Sequence, residues 1–165
     1  MTTDNVFRGF LKRQYVAGMA LAESSDVLTL KPFGGPPPQK FIAEFHCKGV
    51  TWAQRQTQDW DLFRVGICFP DDYLREADVT VVLTMLSPPN VWHPNVFGPA
   101  ICVGRMPPGT ELVDLLYQVF EIITYQRVKM REDDALNGLA CSWAREHQDQ
   151  FPIDPRPLLR RRNVR

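Results

Sequence analysis

The sequence predicts an α+β domain with helices flanking an antiparallel sheet, and three observations carry that prediction. An apolar stripe at four-residue spacing opens the chain, three β-rich runs separated by turn residues fill its middle, and two segments of helical period close it.

The first element has cap candidates in Thr3, Asp4 and Asn5. Phe7, Leu11, Tyr15 and Met19 follow, with Phe10 beside them and Arg8, Lys12 and Arg13 off the stripe, so residues 4–23 read as an amphipathic helix. The stretch "SSDVLTLKPFGGPPPQ" holds paired glycines and consecutive prolines. Such a run cannot extend a helix, which leaves a loop with one short strand around Val27 to Leu30. Residues 40–50, 60–69 and 78–86 alternate apolar and polar side chains or form short apolar runs, and the economical topology for them is an antiparallel meander. The segment "VWHPNVFGPAIC", Val91 to Cys102, is too rich in turn residues for regular structure and reads as a long loop. Leu112, Leu115, Leu116, Val119, Phe120 and Ile123 then recur at helical spacing behind Thr110 as cap, giving a helix over 110–125. A last helix over 134–149 takes Asp133 or Asp134 as its cap and Leu136, Leu139, Ala140, Trp143 and Phe151 as its buried stripe.

A chain of 165 residues can bury roughly 70% of its unfolded surface, so one domain needs no disulfide or metal to hold it. Nineteen basic and nineteen acidic residues cancel, which argues against nucleic acid or a membrane as a partner captured by long-range charge. The exception is the terminal "PRPLLRRRNVR". The expected organisation is a core over 1–155 followed by a basic tail over 156–165, solvated or docked to an acidic partner. Cys47, Cys68, Cys102 and Cys141 show no zinc-ligand spacing, and no metal or cofactor is called for. With no signal-peptide core and no long apolar run, the expected location is the cytoplasm with reduced thiols.

Chemistry concentrates at Cys102. Pro88, Pro89 and Pro94 stiffen the approach to it, and Gly98 and Pro99 turn the chain just before it. Two readings stand on these residues alone: a small buried hydrophobe, or a nucleophile presented on irregular backbone with Asn95 as brace or oxyanion donor. A cysteine hydrolase would also need a base from His93, His46 or His147. Cys47, Cys68 and Cys141 have apolar neighbours and read as core, as do Trp52, Trp60 and Trp143, while Trp92 is a candidate wall of the site.

The Phe-Pro and Tyr pattern at 69–73, His-Pro-Asn at 93–95 and "GPAIC" ending at Cys102 resemble ubiquitin-conjugating enzymes over roughly residues 5–150. The element order is also that family's: helix, meander, active-site loop, two helices. The resemblance implies that Cys102 takes a ubiquitin-like modifier as a thioester from an activating enzyme and passes it to an amine of a protein substrate, usually lysine. By the same resemblance Asn95 steadies the loop or the oxyanion, and His93 and Pro94 shape the turn. Asp134, or Asp133 in the alternate register, is then the acidic residue near the incoming amine, and Arg8, Lys12 and Arg13 lie on the helix that meets the activating enzyme. A lysine presented neutral at pH 7 costs roughly 4 kcal/mol, which a carboxylate in a dry pocket reduces. A thiol needs no general base to react, being a few per cent thiolate already.

Departures from the family pattern carry their own expectations. "VGRMPPGTELV" after Cys102 lacks the usual tryptophan, and "YLREADVTVV" lacks the usual prolines after the Tyr corner. Those loops form the ligase-binding surface in typical members, so a conventional RING-type ligase is not an expected partner. The divergence resembles a bacterial branch with its own activating enzyme and modifier. The alternative reading is a non-catalytic variant of the fold that binds or scaffolds a ubiquitin-like protein, and Cys102 after "GPAI" favours the enzyme.

Overall fold

The computed structural model describes residues 4 to 160. Helix α1 (Asn5–Glu23) is capped by Asp4, whose carboxylate accepts from the amides of Val6 and Phe7. Strands β1 (Leu28–Phe33), β2 (Lys40–Phe45), β3 (Gly49–Ala53), β4 (Gln56–Trp60) and β5 (Phe63–Cys68) follow. A single helical turn α2 (Val79–Val82), strand β6 (Leu83–Ser87) and the short strands β7 (Val96–Phe97) and β8 (Ala100–Ile101) lead to helices α3 (Leu112–Ile123) and α4 (Gly138–Glu146).

The main sheet is antiparallel in the order β1-β2-β5-β6, with β3 and β4 forming a separate hairpin inserted between its two central strands. The expected run over 40–50 therefore divides. The chain leaves the sheet after Phe45, and the buried carboxylate of Asp154 accepts the amide of Lys48 at the bend before β3. The run expected over 78–86 starts as a helical turn capped by Asp78 and becomes strand only from Leu83.

The core lies between the sheet, α1 and α3, and includes Phe41, Phe45, Phe63, Phe69, Leu115 and Leu116. The buried face of α1 is Phe7, Phe10, Leu11, Gln14, Gly18 and Leu21, whereas Tyr15 faces solvent, so the expected stripe is rotated. The cause is a polar contact: Gln14 Oε1 accepts the first amide of α3, Leu112 N–H, at 2.7 Å and replaces the expected Thr110 cap. Gly18 permits the approach, since a Cβ there would stand 2.6 Å from Leu112 Cδ2. Thr110 is occupied elsewhere: its hydroxyl donates to the Pro107 carbonyl at 2.6 Å, and its own carbonyl accepts the hydroxyl of buried Tyr73. Burial pushes that phenol up to about 12, so it stays a donor.

The last helix begins at Gly138 with Asn137 as its cap, four residues beyond the expected start. Asp133 and Asp134 are not caps, and Leu136 and Leu139 are exposed rather than part of the buried stripe. Residues 152–160 run back over the body. Leu158 is buried, Asp154 holds Arg156, and Arg160 bonds Asp26 while donating its amide to Ser24. Residues 156–160 of the expected basic tail thus pack on the domain, and 161–165 lie outside the described residues.

Candidate active site

The segment expected as a loop is a hairpin. Strands β7 and β8 pair Val96 with Ile101 and Phe97 with Ala100, and Gly98, at φ 56°, makes the turn with Pro99. The pairing extends one step further, because the amide of Cys102 donates to the carbonyl of Asn95 at 2.8 Å. Cys102 is therefore set directly opposite Asn95 and is half-buried, intermediate between the two readings its sequence allowed.

The base of the hairpin is the His-Pro-Asn turn, and it is almost fully buried. The Asn95 amide donates to His93 Nδ1 at 2.9 Å, which places the ring proton on Nε2. Desolvation drives His93 down to about 3, against only a weak opposing influence from the backbone of Arg127, so the ring is neutral. It lies edge-on to Tyr125, with centroids 4.4 Å apart. Tyr125 in turn donates its hydroxyl to the Trp92 carbonyl, while the Trp92 ring stacks on Trp52 at 4.5 Å. The neighbouring carbonyl of Pro94 accepts the amide of Asn137, which joins the turn to the start of α4.

Asn95 joins two chain segments. Its Nδ2 donates to the Cys102 carbonyl at 2.9 Å, and its Oδ1 accepts the amide of Lys129 at 3.0 Å. Both ends of a buried carboxamide are thus committed to backbone, one on the hairpin and one on the loop 124–137 between α3 and α4.

That loop carries the acidic candidates. Asp134 places Oδ1 3.5 Å from Lys129 Nζ, and its carbonyl accepts from the same ammonium at 3.3 Å. Asp133 turns instead to Arg131 at 2.9 Å. Of the two registers, Asp134 is the one tied to the Cys102 neighbourhood. Lys129 is the residue sequence reasoning missed: its amide is held by Asn95 Oδ1, its ammonium pairs with Asp134, and a hydrogen-bonding influence from Cys102 leads the causes that raise it above its ordinary value. A lysine on an irregular polar stretch gives no periodic or motif signal, so only the fold could reveal it.

The other candidates lie elsewhere. Arg8 and Lys12 of α1 are exposed and line a groove of about 540 Å³ with Tyr15, Pro32 and the prolines 36–38, while Arg13 is exposed outside that lining. Cys47 and Cys141 are buried as expected, and burial raises the thiol of Cys47 to about 12. Cys68 is half-buried on β5. Trp60 is substantially exposed rather than a packing anchor. His46 sits near Glu44, and His147 Nδ1 lies against the Trp143 carbonyl. Among the described residues no cluster of metal-ligating side chains occurs, and no helix is long and apolar enough to cross a membrane.

No known family model matches the chain, and no curated protein matches it. Among solved structures, one described as a novel ubiquitin-conjugating enzyme is similar over 87% of this chain and 88% of its own, with a TM-score of 0.56 at 15% identity. The helix, four-stranded antiparallel sheet and C-terminal helices described above are the elements it shares with that structure, and the chain has the ubiquitin-conjugating-enzyme-like fold.

Proposed function

We propose that the protein is a conjugating enzyme for a ubiquitin-like modifier, with Cys102 as the thioester carrier. The observation that carries this reading is the placement of a half-exposed cysteine at the end of a hairpin, clamped by Asn95 to the loop that bears Asp134, within a ubiquitin-conjugating-enzyme-like fold. The fold implies activating enzymes and ubiquitin-like proteins as partners in general, and a protein lysine as the acceptor. In the reaction, the Cys102 sulfur attacks the modifier's activated carboxyl carbon and the donor group leaves. An amine nitrogen then attacks the same carbon, and the Cys102 sulfur leaves with the bonding electrons.

Several features support it over a hydrolase. His93 commits Nδ1 to a backbone amide, is buried and stays neutral, which leaves it no geometry for taking the thiol proton. Asn95 acts here as the brace of the site, because both its polar ends are bound to main chain. In this reading Pro94 and His93 shape the turn, the exposed Asp134 is the carboxylate that receives the amine, and the exposed Arg8, Lys12 and Arg13 are the face offered to the activating enzyme. Location in the cytoplasm, a bacterial setting and the absence of a conventional RING-type ligase belong to the same reading.

The test is the intact mass of the protein after incubation with ATP-supplemented extract of its source cells, beside Cys102→Ala. A small-protein increment that vanishes on reduction and never appears on the variant is expected. The variant should melt within a few degrees of the parent. No increment, in an extract that charges other carriers, overturns the reading in favour of a non-catalytic binding module.

A further inference from the structure

Beyond α4 the chain passes the base of the β3–β4 hairpin, and residues 149–153 line one groove of about 670 Å³ with the end of β4. The apolar part of its lining is Trp60, Phe151, Pro152 and Ile153. Trp60 is 44% and Ile153 56% exposed, so both hold contact surface that the core leaves unused. The carboxylates of Asp59, Asp61 and Asp149 line the same groove, and among the described residues none of them has an ion-pair or hydrogen-bond partner. Lys48 is the one basic residue in the lining, so three negative charges against one positive leave the groove acidic by two. The chain as a whole is neutral, which makes this a local feature.

The backbone adds an independent component. Strand β4 pairs with β3 alone, whereas β3 uses its other edge on the segment before the His-Pro-Asn turn, where Thr51 bridges Val91 and the Trp52 amide donates to the Asn90 carbonyl. The outer edge of β4 therefore offers main-chain donors and acceptors that an extended segment can join as a further strand.

We propose that the groove and the adjoining edge of β4 dock an extended, basic segment of a protein partner, with a lysine or arginine side chain laid on Trp60 among Asp59, Asp61 and Asp149. Charge selects this occupant. A cation gains both the carboxylates and the indole face, and its aliphatic stem covers Pro152 and Ile153 while the charged head stays wet. An acidic segment meets repulsion from the same three carboxylates. The groove lies behind the candidate active site without including it: Phe151 stacks at 4.7 Å on Tyr125, which lies 4.4 Å from His93. A seated partner thus rests on the aromatic packing that backs the turn, and the inference stands whether or not Cys102 carries a thioester.

The test follows the indole N–H signals of the four tryptophans by proton–nitrogen NMR as a short peptide of alternating lysine and valine is added, with the glutamate–valine peptide as control. Trp60 is identified by the signal lost in Trp60→Phe, and the unmoved Trp143 signal reports an intact fold. The Trp60 signal should move saturably with the lysine peptide and stay in place with the glutamate peptide. Neutralising the rim in Asp59→Asn/Asp61→Asn/Asp149→Asn should weaken binding about tenfold, and raising salt from about 0.05 to 0.5 M should weaken it in the parent. No movement of Trp60, equal movement with the glutamate peptide, or unchanged affinity in the triple variant overturns the proposal. If the triple variant does not fold, the salt response decides, and a flat response overturns it. Two other occupants are also read out. Movement of the Trp60 signal on diluting the protein alone assigns the groove to a second copy of the chain, and movement on removing residues 161–165 assigns it to the chain's own basic end; either overturns the proposal.

Discussion

The two walls that meet at Cys102 are built on opposite principles. The His-Pro-Asn wall is buried and uncharged: a neutral imidazole, a carboxamide and a phenol bond to backbone groups without a formal charge, while the buried ring nitrogens His93 Nε2 and Trp92 Nε1 are left without a hydrogen-bond partner among the described residues. The facing stretch over 129–134 adds ion pairs at the surface, with Lys129 on Asp134, Arg131 on Asp133 and Arg145 on Glu132. Buried neutral bonds are expensive to leave unmade, whereas exposed ion pairs contribute about 0 to 1 kcal/mol each and weaken in salt. One wall therefore sets position, and the other can be adjusted without unfolding the domain.

The strongest way to break that contrast is to charge the neutral wall. His93 has a folded value near 3 against an ordinary 6.5, so between those pH values the unfolded chain binds the proton and the native one does not. Stability therefore rises with pH across that window, and His93's share is complete above about 6.5 and lost progressively as pH falls toward 3. That share should reach a few kcal/mol, measured as the urea midpoint against pH, with His93→Gln giving the flatter curve between pH 4 and 6.5. An equal slope in both would remove His93 from the account, since Asp154 and other carboxylates also respond to acid.

Next in size is Asn95→Ala, which strips partners from the Cys102 carbonyl and the Lys129 amide at once. A loss of about 2 kcal/mol is expected, with the Lys129 amide exchanging hydrogen faster while the Val96 and Ile101 pairing survives. Loading of Cys102 should persist and discharge to lysine should slow. Collapse of loading would mean that the hairpin itself depends on the carboxamide. Smallest on stability is Asp134→Asn, at under about 0.5 kcal/mol in thermal melts, because the Asp134 carboxylate is largely exposed. The same substitution should slow discharge far more than it lowers the melting temperature. Proportionate losses in both would show that the loop is a structural wall like its neighbour.

The same contrast explains which parts were legible in the amino-acid order. The hairpin residues announce themselves because a tight buried turn demands particular side chains: His93 as a neutral acceptor, Gly98 for its positive φ, Asn95 for a carboxamide with two ends. Period alone carried the first helix, the antiparallel sheet and the two closing helices, but not the β3–β4 hairpin, the helical turn at α2 or the pairing of β7 with β8. What was hidden is non-local. Gln14 and Leu112 are distant in the chain, so nothing near Thr110 indicates that the cap of α3 comes from α1. Asn137 outcompetes Asp133 and Asp134 as the α4 cap because its amide is already fixed by Pro94, a contact visible only in the fold. Lys129 was missed for a related reason, since its importance comes from a backbone bond to Asn95 across the site.

The bond from Gln14 to Leu112 also bears on how the chain comes to be folded. Helix α3 cannot satisfy its first amide with its own residues, so its opening turn stays frayed until α1 has docked against it. Closing that contact means bringing the start of the chain to its latter third, with the loop entropy such a closure carries. The docking of α1 is thus coupled to the order of the first turn of α3. During synthesis α1 must wait, without its buried partner, until α3 has left the ribosome.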